Sequence, residues 1–139
     1  MFQLRYATEE DLAFWQQLDS HISYEELVNK ISLQRCYIVE HQHRPIGLMR
    51  YNLFWDNLPF LTLIRLLPTN VGQGFGTQAM LGWETEMRAL GFQQVMTSTQ
   101  SDEGAQHFYR KLGYKDAGCL ILDLPTLSQA AEVFFVKSL

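Results

Sequence analysis

Several things are scarce in this chain, and each scarcity excludes a class of protein. No apolar run approaches the ~18 residues of a membrane-spanning helix. The opening Met1-Phe2-Gln3-Leu4-Arg5-Tyr6 lacks the basic, then apolar, then small-residue order of a secretion signal. Cys36 and Cys119 are the only two cysteines, far apart and without a Cys-x-x-Cys pair, so no disulfide framework is written here. Basic residues are also few. Eleven Lys and Arg against fifteen Asp and Glu leave a formal charge of −4, which argues against the cationic footprint of a nucleic-acid binder. Internal repeats, low-complexity tracts and linkers are missing. Together these absences predict one cytoplasmic domain over residues 1–139, with no membrane and no nucleic acid among its partners.

What is present suits a folded enzyme-sized domain. Apolar residues make up 47% and charged residues 19%, enough to bury a core and too apolar for disorder. Phe2–Tyr6 alternates and predicts a strand. Thr8 with Asp11, and Ser23 with Glu26, are capping pairs that open two helices, the first carrying Leu12, Trp15 and Leu18 and the second Leu27 and Ile31. Cys36–Glu40, Ile46–Trp55 and Phe60–Leu67 read as three strands joined by short turns, an antiparallel meander. A helix from the glycine turn to Leu90, capped by Gly91, leads to a strand over Gln93–Thr99. That strand must lie parallel to Phe60–Leu67, because a helix crosses between them. Ser101 or Asp102 is the expected cap of a further helix ending at Gly113. Strands at Tyr114–Leu122 and Glu132–Lys137, joined by a loop over Asp123–Ala131, complete the order β-α-α-β-β-β-α-β-α-β-β.

The chemistry concentrates where the strand Leu61–Leu67 meets Val71-Gly72-Gln73-Gly74-Phe75-Gly76-Thr77 and becomes a helix. Glycines let backbone amides approach an anion closely, and the free amides and dipole of a helix N-terminus favour a phosphate there. The turn is not a dinucleotide fingerprint, since Thr77 stands where its third glycine belongs and no acidic residue ends the next strand. His41-x-His43 lacks the further ligands of a metal site.

A second block decides the cofactor. Asp102-Glu103-Gly104-Ala105-Gln106-His107-Phe108-Tyr109-Arg110-Lys111-Leu112-Gly113-Tyr114 resembles the Asn-x-x-Ala-x-x-Phe-Tyr-x-Lys-x-Gly-Phe block of the GNAT superfamily of N-acetyltransferases. Ala105, Phe108, Tyr109, Lys111 and Gly113 match it. Gly74 and Gly76 match the superfamily's other block, (Gln/Arg)-x-x-Gly-x-(Gly/Ala), with Val71 in place of its Gln or Arg. The resemblance implies an α/β fold with a mixed, mostly antiparallel sheet of about seven strands, four helices and a splayed parallel strand pair. It implies acetyl-CoA as co-substrate and no metal. The pyrophosphate is expected on Gly72, Gln73, Gly74, Phe75, Gly76 and Thr77, and the pantetheine along the backbone near Leu66 and Leu67. Asp102 stands at the usual Asn position, as a pantetheine contact or a helix cap. Tyr109 is the expected acid for the departing thiolate, with acetyl passing directly to an amine in a ternary complex.

The acceptor end is thinly written. Phe60–Leu67 carries no carboxylate, so the base is sought among Glu103, Asp56, Glu26 and His21, or a water chain to one of them. Arg50-Tyr51-Asn52 and Phe54-Trp55-Asp56 are candidate lining for an acceptor pocket, and Thr97–Ser101 bring hydroxyls towards the same cleft. The acceptor is expected to be a small-molecule or peptide amine. Val133-Phe134-Phe135-Val136 reads either as core or as the interface of a homodimer. The rival reading is a domain of the same fold that binds acyl-CoA as a sensor without transferring it.

Overall fold

The alternation and capping signals are realised in the computed structural model, which describes residues 1–139. Thr8 and Asp11 form a reciprocal capping box, and the Ser23 hydroxyl accepts from the Glu26 amide at 3.2 Å. Strands β1 (Phe2–Tyr6), β2 (Cys36–His41), β3 (Arg44–Phe54), β4 (Leu58–Leu66), β5 (Gln94–Gln100), β6 (Lys115–Leu120) and β9 (Glu132–Ser138) form a seven-stranded sheet in the order β1-β2-β3-β4-β5-β9-β6. Helices α1 (Leu12–Leu18), α2 (Tyr24–Ser32), α3 (Phe75–Ala89) and α4 (Ala105–Lys111) complete the α/β architecture. The loop expected over Asp123–Ala131 contains a small hairpin, β7 (Asp123–Leu124) against β8 (Leu127–Ser128). Two-residue strands around Pro125-Thr126 are too short to show a period of two.

The chain divides into two compact units, Met1–Asn52 with Thr62–Glu86, and Leu53–Leu61 with Met87–Leu139. In the first, β1, β2 and β3 pair antiparallel, with Leu4 opposite Val39 and Ile38 opposite Leu48. Successive β2 side chains point to opposite faces, and here both faces are covered. Cys36 and Ile38 meet Ala7, Trp15, Leu27 and Leu48 under α1 and α2. On the other face, Tyr6 stacks on Tyr37 (5.2 Å) and Tyr37 on Tyr51 (6.3 Å), and Tyr51 meets Trp83 of α3 in a tilted contact (5.8 Å).

In the second unit, β5 pairs antiparallel with β9 and β9 with β6. The expected parallel pair is present: Phe60 lies opposite Met96 and Leu61 opposite Thr97. Pairing stops there, although β4 runs on to Leu66 and β5 to Gln100. Tyr109 of α4 packs on Phe135 at 5.9 Å and Tyr114 at 5.8 Å. The β9 segment Val133–Val136 is therefore an interior strand, and the sheet edge belongs to β6.

Candidate active site

The residues singled out by sequence fall into two groups, one in each unit. In the first unit, β4 ends at Leu66, Pro68–Asn70 form one helical turn, and the glycine turn leads into α3 at Phe75. Gly72 and Gly74 have φ of 81° and 86°, a conformation that L side chains adopt rarely, and a Cβ at either would meet open space. Backbone strain, not crowding, is what requires glycine here. The first amide to bond back is Gln78, to the Gly74 carbonyl at 3.2 Å. Those of Phe75, Gly76 and Thr77 precede it and have no intrahelical acceptor by helix geometry. The Gln73 side chain donates to the Thr69 carbonyl at 3.0 Å and steadies the turn. Val71, in the superfamily's Gln or Arg position, is 62% exposed.

Leu66 and Leu67 differ in what they offer. The Leu67 amide donates to the Ile46 carbonyl at 2.7 Å, and its carbonyl accepts from Asn70 at 2.9 Å. Both of its backbone groups are taken up inside the fold. Leu66 is one residue out of phase, so its backbone groups point away from β3, towards the edge that an extended ligand can pair with. Gly47 of β3 allows the close approach that sets this edge. A Cβ there would lie 2.5 Å from Leu66 Cδ2 and 2.6 Å from the Arg65 carbonyl oxygen.

In the second unit, Tyr109 is buried and linked to the last parallel pairing. Thr97 Oγ1 donates to the Leu61 carbonyl at 3.0 Å, and Thr97 is hydrogen-bonded to the Tyr109 phenol. Burial pushes the phenol above the ordinary tyrosine value; the bond with Thr97 offsets part of this, and Glu103 and Glu132 add to the rise. A phenol held protonated at neutral pH is a donor, which is what a departing thiolate needs. Asp102 does not cap α4. The N-cap is Gly104, with no side-chain bond to the helix. The segment before it is a turn instead, in which Gln106 Nε2 holds the Ser101 and Glu103 carbonyls at 2.9 and 3.0 Å.

A carboxylate that sequence inspection passes over stands beside this group. Ser98, the residue after the last parallel pairing, donates to Glu132 Oε2 at 2.7 Å, and Gln129 Nε2 donates to Glu132 Oε1 at 2.8 Å. Glu132 lies 34 positions from Ser98 in sequence, and only the antiparallel register of β5 with β9 brings them together. The other base candidates are elsewhere engaged or exposed. Glu103 accepts weakly from the Gln100 amide at 3.4 Å, Glu26 sits in the first turn of α2, His21 donates its amide to Asp19, and Asp56 lies in an exposed turn.

The candidate acceptor lining also resolves. Arg50 is tied to Asp19 through Nε at 2.7 Å, and Tyr51 belongs to the ring stack. Phe54 and Trp55 line an apolar groove with Leu58, Met96 and Phe134. His41 packs its ring on Phe75 at 4.7 Å.

Comparison with known proteins agrees with the motifs. The model of the Acetyltransferase (GNAT) family matches residues 3–114. A GNAT-family acetyltransferase from Bacillus cereus ATCC 10987 superposes with a TM-score of 0.76 at 23% identity, covering 99% of this chain and 97% of that one. A GNAT acetyltransferase from Elizabethkingia anophelis, solved with acetyl-CoA bound, gives 0.76 at 14% identity, covering 99% and 98%. The PaiA N-acetyltransferase of Thermoplasma acidophilum, in complex with coenzyme A, gives 0.79 at 15% identity, covering 100% and 99%. No curated protein matches the sequence.

Proposed function

This chain belongs to the GNAT acetyltransferase family, and on that footing we propose that it transfers an acetyl group from acetyl-CoA to a primary amine by direct attack in a ternary complex. The observation that carries the reading is the buried Tyr109 phenol, hydrogen-bonded to Thr97 where β4 and β5 stop pairing. The amides of Gly72–Thr77 hold the pyrophosphate, and the backbone of Leu66 pairs with the pantetheine arm. The amine nitrogen attacks the thioester carbonyl carbon, and the carbon–sulfur bond breaks as the tetrahedral adduct collapses. Tyr109 gives its proton to the thiolate. The proton lost by the amine passes to Ser98 Oγ as that hydroxyl gives its own to Glu132. The acceptor class is a small-molecule or peptide amine, and two unbridged cysteines suit a reducing cytoplasm.

Calorimetric titration with acetyl-CoA tests the cofactor, and the absence of heat at millimolar ligand would refute it. Tyr109→Phe and Glu132→Gln should each lower kcat by about 10²-fold or more with acetyl-CoA affinity unchanged. Wild-type turnover in either variant removes that residue from the mechanism. The exposed Val71 favours one rival, an acyl-CoA-binding module without transfer. Binding without acetylation across a broad amine panel would decide for it.

A further inference from the structure

Glu132 is held at both of its carboxylate oxygens, and the second hold comes from a residue that the transfer itself does not use. Ser98 Oγ donates to Oε2 at 2.7 Å, and Gln129 Nε2 donates to Oε1 at 2.8 Å. The same Nε2 donates to the Ala130 carbonyl at 3.2 Å. A primary amide has two N–H groups, and both partners here are acceptors, so the side chain fits only one way round. Gln129 is in turn placed by the chain around it. Its backbone amide donates to the Leu122 carbonyl at 3.2 Å, across the foot of the β7–β8 hairpin, in which Asp123 pairs with Ser128 and Leu124 with Leu127. Further along, the Ala131 carbonyl accepts from the Ser101 amide at 2.7 Å and ties the same connector to the end of β5. Glu132 then opens β9, opposite Gln100 of β5 and Leu120 of β6.

We propose that Gln129 is the positioning residue of the base, selecting the oxygen of Glu132 that takes the proton. The inference rests on the reading of Ser98 and Glu132 as the proton path. The last torsion of a glutamate is broad and two-fold, so a carboxylate with one partner turns at little cost. The bond from Ser98 alone leaves that rotation open, and the bond from Gln129 closes it. An amide donates a hydrogen bond without giving up its proton at neutral pH. Oε1 is therefore occupied by a group that cannot protonate it, and Oε2 is the oxygen left to receive the proton of Ser98. A carboxylate fixed in this way needs no reorganisation when the proton arrives, which is what a held polar group contributes to a reaction. The β7–β8 hairpin belongs to the same device, because its closure from Leu122 to Gln129 sets the amide that sets the carboxylate.

The test compares Gln129→Met, Gln129→Glu, Glu132→Gln and the double variant Gln129→Met with Glu132→Gln, all in the full chain. Release of the CoA thiol from acetyl-CoA is followed with benzylamine, tyramine, putrescine and lysine methyl ester. Each variant is assayed with the amine that the wild type turns over fastest. Neither Gln129 substitution removes the backbone bond to Leu122, so both proteins should fold, as thermal melting checks. Methionine keeps the length of the side chain and glutamate its shape, and both lack the donors. Each should lower kcat about tenfold, with KM for acetyl-CoA unchanged. Adding Gln129→Met to Glu132→Gln should change kcat by less than about twofold, because no carboxylate remains to position. A merely loosened hairpin would cost the same factor in both backgrounds. Equal losses in the two backgrounds overturn this inference and leave the base standing. So does wild-type kcat in both Gln129 variants beside a slow Glu132→Gln. Wild-type kcat in Glu132→Gln removes the base and this inference with it, and a chain that acetylates none of the amines overturns the transfer reading and both.

Discussion

Asp19 shows how much one side chain can carry. It is buried at the end of α1 and accepts from Trp15 Nε1 at 3.0 Å, from Arg50 Nε at 2.7 Å and from the His21 amide at 3.1 Å. Burial alone would raise its pKa, but the bonds from Arg50 and Trp15 outweigh it, and the carboxyl lies below the ordinary aspartate value. Asp19→Asn keeps the shape but leaves the buried Arg50 cation without its counter-charge, so it should cost about 3–5 kcal/mol, measured by urea denaturation. The two cysteines make a second residue-scale prediction. Burial pushes the Cys36 thiol up to about 12, whereas Cys119 is exposed. A thiol reagent at neutral pH should therefore titrate one group in the native protein and two in denaturant. Sequence was informative at this scale when function followed a local motif: Tyr109 was legible from its neighbours Phe108, Lys111 and Gly113. Thr97 was legible only as one of the hydroxyls of Thr97–Ser101, its bond to Tyr109 arising where α4 packs on β5, and Glu132 was not legible, because its partnership with Ser98 comes from strand register. Nor was the Asp19–Arg50 pair, separated by 31 positions.

Elements were legible wherever a period or a cap extended over several residues. The seven strands of the main sheet, the four helices, the capping pairs at Thr8 and Ser23 and the glycine stops at Gly91 and Gly113 all follow from local pattern, whereas the short β7–β8 hairpin does not. The start of α4 did not, because Asp102 is a good cap by type while the helix begins only at Ala105, behind a turn held by Gln106. That difference is measurable. Ser23→Ala removes an observed cap bond and should cost about 0.5–1 kcal/mol, while Asp102→Ala should leave stability within about 0.5 kcal/mol of wild type. Loss of stability in the second variant would restore a capping role to Asp102. The approach of β3 to β4 gives a sharper case. Gly47→Ala puts a methyl against the Arg65 carbonyl and Leu66, and part of that contact is backbone that cannot rotate away. A cost of about 1–3 kcal/mol is expected. Because Leu66 is the proposed pantetheine edge, acetyl-CoA affinity should fall too, by calorimetry on the folded fraction. Unchanged affinity beside reduced stability would separate this strand edge from cofactor binding.

For the molecule as a whole, stability should form a plateau in pH with an identifiable group at each shoulder. Asp11, bonded chiefly by Arg5, and Asp19 both have folded pKa values below the ordinary aspartate value. A depressed carboxyl contributes stability above its unfolded pKa and loses it as pH falls through the folded value, so the acid shoulder lies below about pH 4. Cys36 has the opposite sign. Its thiol is raised from 9.0 to about 12 by burial, so its contribution is complete below pH 9.0 and is lost as pH rises towards 12. Tyr51 and Tyr109, also raised by burial, steepen the alkaline side above the ordinary tyrosine value. Each group should add a slope of about 1.4 kcal/mol per pH unit within its own window. Denaturant midpoints across pH should therefore be flat between about pH 5 and 9. Cys36→Ala removes one alkaline contribution and, separately, leaves a cavity. Its midpoints should lie lower throughout, yet decline less between pH 9.0 and about 12 than those of the wild type. Parallel curves for the two proteins would show that Cys36 does not titrate on unfolding, and that the alkaline limb belongs to the tyrosines alone.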